Sequence, residues 1–258
     1  MGANHRGTIT NCCSCATVSV SCELGMYLGG LSGSNSGTIE DCYSSGTVSG
    51  SEGFEYTGTT AMLFFGGLVG ENTGEIANCY SRGSVSGSGN YVCHLGGLVG
   101  FNEGTISNCF SSDPVSGDGN NVWYLGGLVG QNEDTISNCY SSGAISAVGD
   151  SVDYIGGLVG EGVIELVENS FWDIQTSWQS SSAGGTGLET NLMKSIVPFY
   201  DAGWDFTEIW KIENELSYPY LNIRAGLEPS IAGDIDFDRD VDFYDFAMLA
   251  ENWLVGTE

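Results

Sequence analysis

Apolar positions in residues 95–117 come in short bursts: Leu95, Leu98 with Val99 and Phe101, Ile106, Cys109 with Phe110, and Val115. Gly, Ser, Asn and Thr fill the gaps between them. No stretch repeats an apolar residue at i, i+3, i+4 and i+7, so the pattern predicts short β-strands separated by turns, not helices. The same pattern returns thirty residues later as LGGLVGQNEDTISNCYSSGAISA.

Two markers measure the period. Gly-Gly pairs begin at Gly29, Gly66, Gly96, Gly126 and Gly156, spaced 37, 30, 30 and 30. Cys12, Cys42, Cys79, Cys109 and Cys139 are spaced 30, 37, 30 and 30. A fixed period in this range marks a stacked repeat, and 30 residues is short for a four-stranded propeller blade. The expected fold is therefore all-β: a β-solenoid, parallel β-helix-like, of about five 30-residue coils with about three short strands per coil. Neighbouring coils would rise by one strand spacing, about 4.8 Å.

Identical residues then stack. Ile9, Ile39, Ile76, Ile106 and Ile136 form one expected ladder, and Leu31, Leu68, Leu98 and Leu128 another. The five Cys form a third, continued by Ser170. Asn11, Asp41, Asn78, Asn108, Asn138 and Asn169 form a fourth, with the amides expected to bond along the axis. The expected organisation is 1–173 solenoid, 174–222 C-terminal mixed cap, 223–232 linker and 233–258 calcium loop and helix. The cap is expected to cover the open end, with one helix from Glu189 to about Pro198. The first unit starts with the second half of the motif, so the chain reads as an N-terminally truncated fragment.

The unit GGLVGENTGEIANCYSRGSVSG resembles the GLUG motif of bacterial surface and secreted proteins. That resemblance implies a surface-exposed, repetitive, non-catalytic β-solenoid at about residues 7–175. It names no ligand.

Composition narrows the function. Net charge is -27, from 33 acidic and 6 basic residues, which excludes nucleic acid as a partner. No apolar run reaches the length of a membrane span and no signal peptide is visible. A solenoid lyase would need a basic catalytic residue, yet Arg82 is the one basic side chain in the repeats after Arg6. Glu103, Glu133 and Asp134 share a coil edge and read as an acidic ledge. His5 and His94 have no nucleophile pattern, and His94 takes the aromatic slot of Tyr27, Phe65, Tyr124 and Tyr154. Cys12 and Cys15 form a lone C-x-x-C without the second pair that a zinc site needs. A disulfide among Cys13, Cys15 and Cys22 stays open, and so does the state of Cys93. The segments before each Gly-Gly, such as GNNVWY, are the most variable, and their aromatics are candidate sugar-stacking or edge-covering residues.

The last segment reads GDIDFDRDVDFYDFAMLAENWL. Counted from Asp234 as position 1, carboxylates of Asp234, Asp236, Asp238, Asp242 and Asp245 fall at 1, 3, 5, 9 and 12, and Asp240 offers its carbonyl at 7. These are the ligand positions of a calcium loop, and an apolar helix face follows. The segment resembles one half of a type I dockerin, departing from it in Arg239 at the position usually held by Gly and in having a single loop. The resemblance implies calcium and a cohesin-like protein or surface scaffold as partner. The resulting expectation is a non-catalytic secreted or cell-surface protein for adhesion or binding. Alternatives are a component that binds or degrades extracellular polysaccharide, and a structural spacer.

Overall fold

The computed structural model describes residues 2–22, 26–52 and 63–222, with backbone alone for Cys22, Glu52 and Cys93. Segments 53–62 and 223–258 lie outside the described residues, and with them the linker and all six aspartates Asp234, Asp236, Asp238, Asp240, Asp242 and Asp245.

The chain is a parallel β-solenoid of about five coils. One coil shows the plan. Val99–Asn102 begins it, Thr105–Ser107 and Phe110–Ser111 follow, and Val115–Gly126 closes it. Each strand pairs in parallel with its counterparts one coil before and one coil after. Stacked coils thus make four parallel sheets of 6, 6, 7 and 8 strands, termed here the Asn, Ile, aromatic and long faces. The register is identity on identity: Ile76 sits on Ile106, Val85 on Val115, Leu95 on Leu125. A 30-residue period with strands at fixed offsets enforces this register, because slipping one residue would turn the buried side chains outward.

Four faces replace the expected three strands per coil. The difference lies in the Val-Ser-Gly and aromatic-Leu-Gly runs, which are one continuous extended segment in Val85–Gly96 and Val115–Gly126. That segment folds over itself. Val115, Val122 and Leu125 are all fully buried in one cluster, and a Cβ added at Gly117 would stand 2.6 Å from Val122 Cγ1. The glycine is there because the opposing leg leaves no room for a side chain. The solenoid therefore has two cores. The main one holds the Ile, Leu, Val and Cys ladders, with Ile39, Ile76, Ile106 and Ile136 at 0% exposure. The second lies inside the folded long face.

Residues 170–222 do more than cover an end. Trp172 packs on the main core, Ser182 Oγ accepts the amides of Leu158 (3.2 Å) and Val159 (2.9 Å), and Thr186–Leu188 adds a strand beside Phe171–Asp173. The rest lies along the flank, against the aromatic face. Trp210 is fully buried 6.3 Å from the Phe110 ring, Trp204 Nε1 donates to Asn169 O at 2.9 Å, and Tyr140 Oη donates to Pro219 O at 2.6 Å. The single expected helix is two, Thr190–Met193 and Ile196–Asp201, because Ser195 breaks the run and accepts the Val197 amide as an N-cap.

Candidate functional site

Three ladders run through the coils. The hydrogen-bonded Asn ladder is Asn4, Asn35, Asn72, Asn102 and Asn132. Each Nδ2 donates to the next Oδ1, at 2.8, 2.8, 2.8 and 2.7 Å. Asn35, Asn72 and Asn102 come from Asn-x-Gly turns, Asn4 and Asn132 from the matching turns NHRG and NED, and all five are buried. The other set, Asn11, Asp41, Asn78, Asn108, Asn138 and Asn169, does not form the expected amide ladder. Those residues hold φ between 48° and 53°, a left-handed bend between the Ile and aromatic faces. Asn and Asp tolerate that backbone better than other non-Gly residues.

The Cys ladder forms as expected. Each sulfur accepts the amide of the Cys one coil earlier, at 3.3 Å for Cys12 N to Cys42 Sγ and 3.4 Å for Cys79 N to Cys109 Sγ. Each thiol also reaches the carbonyl two residues before it, Cys109 Sγ to Ser107 O at 3.1 Å. Ser170 Oγ repeats both contacts, accepting Cys139 N at 3.1 Å and donating to Glu168 O at 2.8 Å. Burial pushes the Cys109 thiol well above the ordinary thiol range, so it stays protonated. At the N-terminal edge Cys12, Cys13 and Cys15 are exposed and unbridged to one another, and the side chain of Cys22 lies outside the described residues. Among the described residues no group of three or more His, Cys, Asp or Glu is placed to hold a metal.

Two aromatic ladders follow. Tyr43, Tyr80, Phe110 and Tyr140 stack at 4.9 to 5.0 Å and are buried under the C-terminal segment and Arg82, whose guanidinium lies 5.3 Å from the Tyr80 centroid. The second runs Tyr27, Phe64, His94, Tyr124 and Tyr154, at 4.9, 4.4, 4.7 and 5.2 Å. Phe64, not Phe65, is its second rung, because Phe65 registers with Leu28 and Leu95 and fills the second core.

The second ladder is the candidate binding edge. Its ends are open, with Tyr27 at 43% and Tyr154 at 55% exposure, and Tyr91 nearby on the long face is also exposed. Its middle is closed. His94 is buried between Phe64 and Tyr124, and its Nε2 lies 2.8 Å from Gln131 Oε1. Burial lowers the imidazole pKa to about 4, the Gln131 bond opposing this only in part. At the Tyr27 end, burial and the Glu71 carboxylate raise the phenol pKa. Burial and then Glu103 raise that of Glu71.

The acidic ledge falls on the same turn of successive coils. Glu103 and Glu133 do share a coil position, each backbone amide bonding the Asn carbonyl one coil back, at 2.7 and 2.8 Å. But Glu133 Oε1 accepts from Gln131 Nε2 at 3.3 Å, and Asp134 Oδ1 accepts from the Thr135 amide at 2.7 Å and its hydroxyl at 3.2 Å. The Glu133 and Asp134 carboxylates thus bond within their own turn. The surrounding groove, about 490 Å³, is lined by Arg6, Thr38, Thr73, Glu75 and Thr105 beside Glu103 and Asp134. His5 is exposed.

Comparison with known proteins agrees with the repeat. The family model described as the GLUG motif matches residues 25–49, 65–86, 91–116 and 121–146. The chain thus carries four copies of a repeat motif, and the model is not that of an enzyme family. A protein of Evansella cellulosilytica that bears the name Gly-rich membrane protein is 44% identical over 70 residues, which is 27% of this chain and 8% of that relative. The chain thus spans a small fraction of that relative's length. No solved structure matches. Among the described residues no helix is long and apolar enough to cross a membrane.

Proposed function

We propose that the protein is a non-catalytic repeat protein of the bacterial surface or extracellular space. In this reading the solenoid presents a binding face, and segment 233–258 binds calcium and anchors the chain to a cohesin-like protein or surface scaffold. The supporting observation is how the coils use their side chains. Asn, Cys and inner aromatics are spent on one another along the axis, while Tyr27, Tyr91 and Tyr154 stay exposed on the outer edge. Exposed tyrosines beside carboxylates and amides suit adhesion to an uncharged, hydroxyl-rich or aromatic surface. The name of the Evansella relative fits a protein held at an envelope.

A second reading takes the ligand to be an extracellular polysaccharide, favoured by the same tyrosines, whose rings can stack on sugars. A glycan array separates the readings. Hits lost in Tyr27→Ala and Tyr154→Ala but kept in Glu103→Gln with Glu133→Gln support binding without catalysis. Hits with turnover that the Glu changes abolish would overturn it. No binding to any glycan, cell or matrix protein would leave a spacer.

Calcium is tested separately by calorimetric titration of the whole chain. Binding lost on Asp234→Ala and Asp245→Ala supports the anchor. A flat titration of the unaltered chain removes it.

A further inference from the structure

We propose that the outer aromatic edge docks an extended polysaccharide that carries amino groups, with its sugar faces on the tyrosines and its ammonium groups at Glu71 and Glu161. The inference rests on the reading of this edge as a binding face, and it names the class of ligand.

The edge is two parallel rows. One is the outer ladder of Tyr27, Phe64, His94, Tyr124 and Tyr154. The other is the outward row of the Asn face, where Ser34, Glu71, Phe101, Gln131 and Glu161 stand in register, all half-buried. The rows touch. The His94 ring lies 5.8 Å from that of Phe101, and its Nε2 lies 2.8 Å from Gln131 Oε1 one coil further on. Phe64 lies 5.7 Å from Phe101 in the same way. By this register Glu71 stands beside Tyr27 and Phe64, and Glu161 beside Tyr124 and Tyr154.

Charge sets the sign of the ligand. Neither row holds a Lys or Arg, and none occurs between Arg82 and Lys194. The cations of the described residues lie elsewhere. Arg82 covers Tyr80 at 5.3 Å, Lys194 covers Tyr218 at 5.4 Å, Lys211 is in the strand Trp210–Lys211, and Arg6 lines the groove of Glu75. The inner ladder thus carries its own guanidinium, while the outer ladder carries carboxylates. Glu71 is also disfavoured as an anion, by burial and then by Glu103, and a cation beside it offsets both.

Spacing sets the shape of the ligand. Glu71 and Glu161 are three coils apart, about 14 Å at one strand spacing per coil. One small cation cannot reach both, whereas a polymer with an amine on each unit can. Between them the half-buried rings of Phe64, Phe101 and Tyr124 continue the surface that Tyr27 and Tyr154 offer to sugar faces. A basic peptide fits less well. Extended peptides dock on sheets by adding a strand, and between the ends of both sheets the strands already pair on two sides.

The test is calorimetric titration of the whole chain at about pH 6, where a primary amine is protonated. The probes are a glucosamine hexamer, an N-acetylglucosamine hexamer and hexa-arginine. The glucosamine hexamer should bind at least about tenfold tighter than its acetylated counterpart, with the gap narrowing as salt is added. Glu71→Gln with Glu161→Gln should close the gap and leave binding of the acetylated hexamer unchanged. Gln131 holds the same row, so Gln fits there. Tyr27→Ala with Tyr154→Ala should weaken binding of both hexamers. Equal affinity for the two hexamers overturns the proposal and keeps the edge as a sugar-binding face. Binding of neither also overturns it, and the glycan array then decides the edge alone. Hexa-arginine bound as tightly as the glucosamine hexamer, and released by the Glu changes, overturns it in favour of a basic protein partner.

Discussion

The side-chain amide of Asn72 donates to Asn102 Oδ1 at 2.8 Å, and both side chains are fully buried. Asn102 in turn donates to Asn132 Oδ1 and to Gly104 O. Its replacement therefore strands groups on two neighbouring coils. Asn102→Ala should cost about 2–4 kcal/mol, the loss of several buried bonds with their partners left in place. Asn4→Ala, at the ladder's end, should cost about 1 kcal/mol. Urea denaturation of the two variants checks the ranking, and equal costs would refute a continuous ladder.

Cys139 N bonds Ser170 Oγ as Cys109 N bonds Cys139 Sγ, so a hydroxyl can stand in for the thiol. Cys109→Ser should cost under about 1.5 kcal/mol, whereas Cys109→Leu should cost about 1–3 kcal/mol through overpacking. A thiol reagent with peptide mapping gives a second check. Cys12, Cys13 and Cys15 should label in the native state, and Cys42, Cys79, Cys109 and Cys139 only on unfolding. Rapid native labelling of Cys109 would contradict the ladder.

The parts legible in the sequence were those fixed by period alone: the coil count, the Ile and Leu ladders and the Cys ladder. The Asn ladder was misplaced, because two Asn recur in each unit and period cannot rank them. One residue did carry the signal. Asp41 belongs to the Asn-Cys series and has no amide to donate, whereas Asn4, Asn35, Asn72, Asn102 and Asn132 are all Asn. Two adjacent phenylalanines precede Gly66, and only the register of Phe65 with Leu28 and Leu95 tells that Phe65 points inward and Phe64 is the rung. The flank packing of Trp204 and Trp210 had no local sign. It depends on an aromatic face that exists only once the coils are stacked.

At Gly97 neighbouring coils leave no room for a side chain. A methyl there would meet the Gly127 carbonyl oxygen and Ser111 Oγ, one of them backbone of the next coil. Backbone cannot step aside without parting the sheets. Gly97→Ala should therefore lower stability by about 2–3 kcal/mol despite adding a better former of regular structure. Thermal or urea unfolding measures it, and a neutral result would mean that the corner is loose.

His94 is a rung that fears acid. Its folded pKa is about 4, below the ordinary imidazole value of 6.5, because burial between Phe64 and Tyr124 disfavours the cation. The unfolded chain therefore takes up a proton first as pH falls. Stability should decline from about pH 6.5 down to about pH 4 and then level off for this group, with a total loss of about 3 kcal/mol. Tyr124 and Tyr154 hold the same slot at the same left-handed φ, 60° and 58° against 56° for His94. Tyrosine thus fits the backbone, and His94→Tyr should remove this decline while leaving stability at pH 7 within about 1.5 kcal/mol. Glu71 contributes in the opposite sense. Its raised pKa means that protonation favours the folded state, so its part of stability grows as pH falls through that raised value. The measurement is the urea midpoint from pH 7 to pH 4 in the parent, His94→Tyr and Glu71→Gln. An unaltered slope in His94→Tyr would show that the imidazole is solvated and not a buried rung.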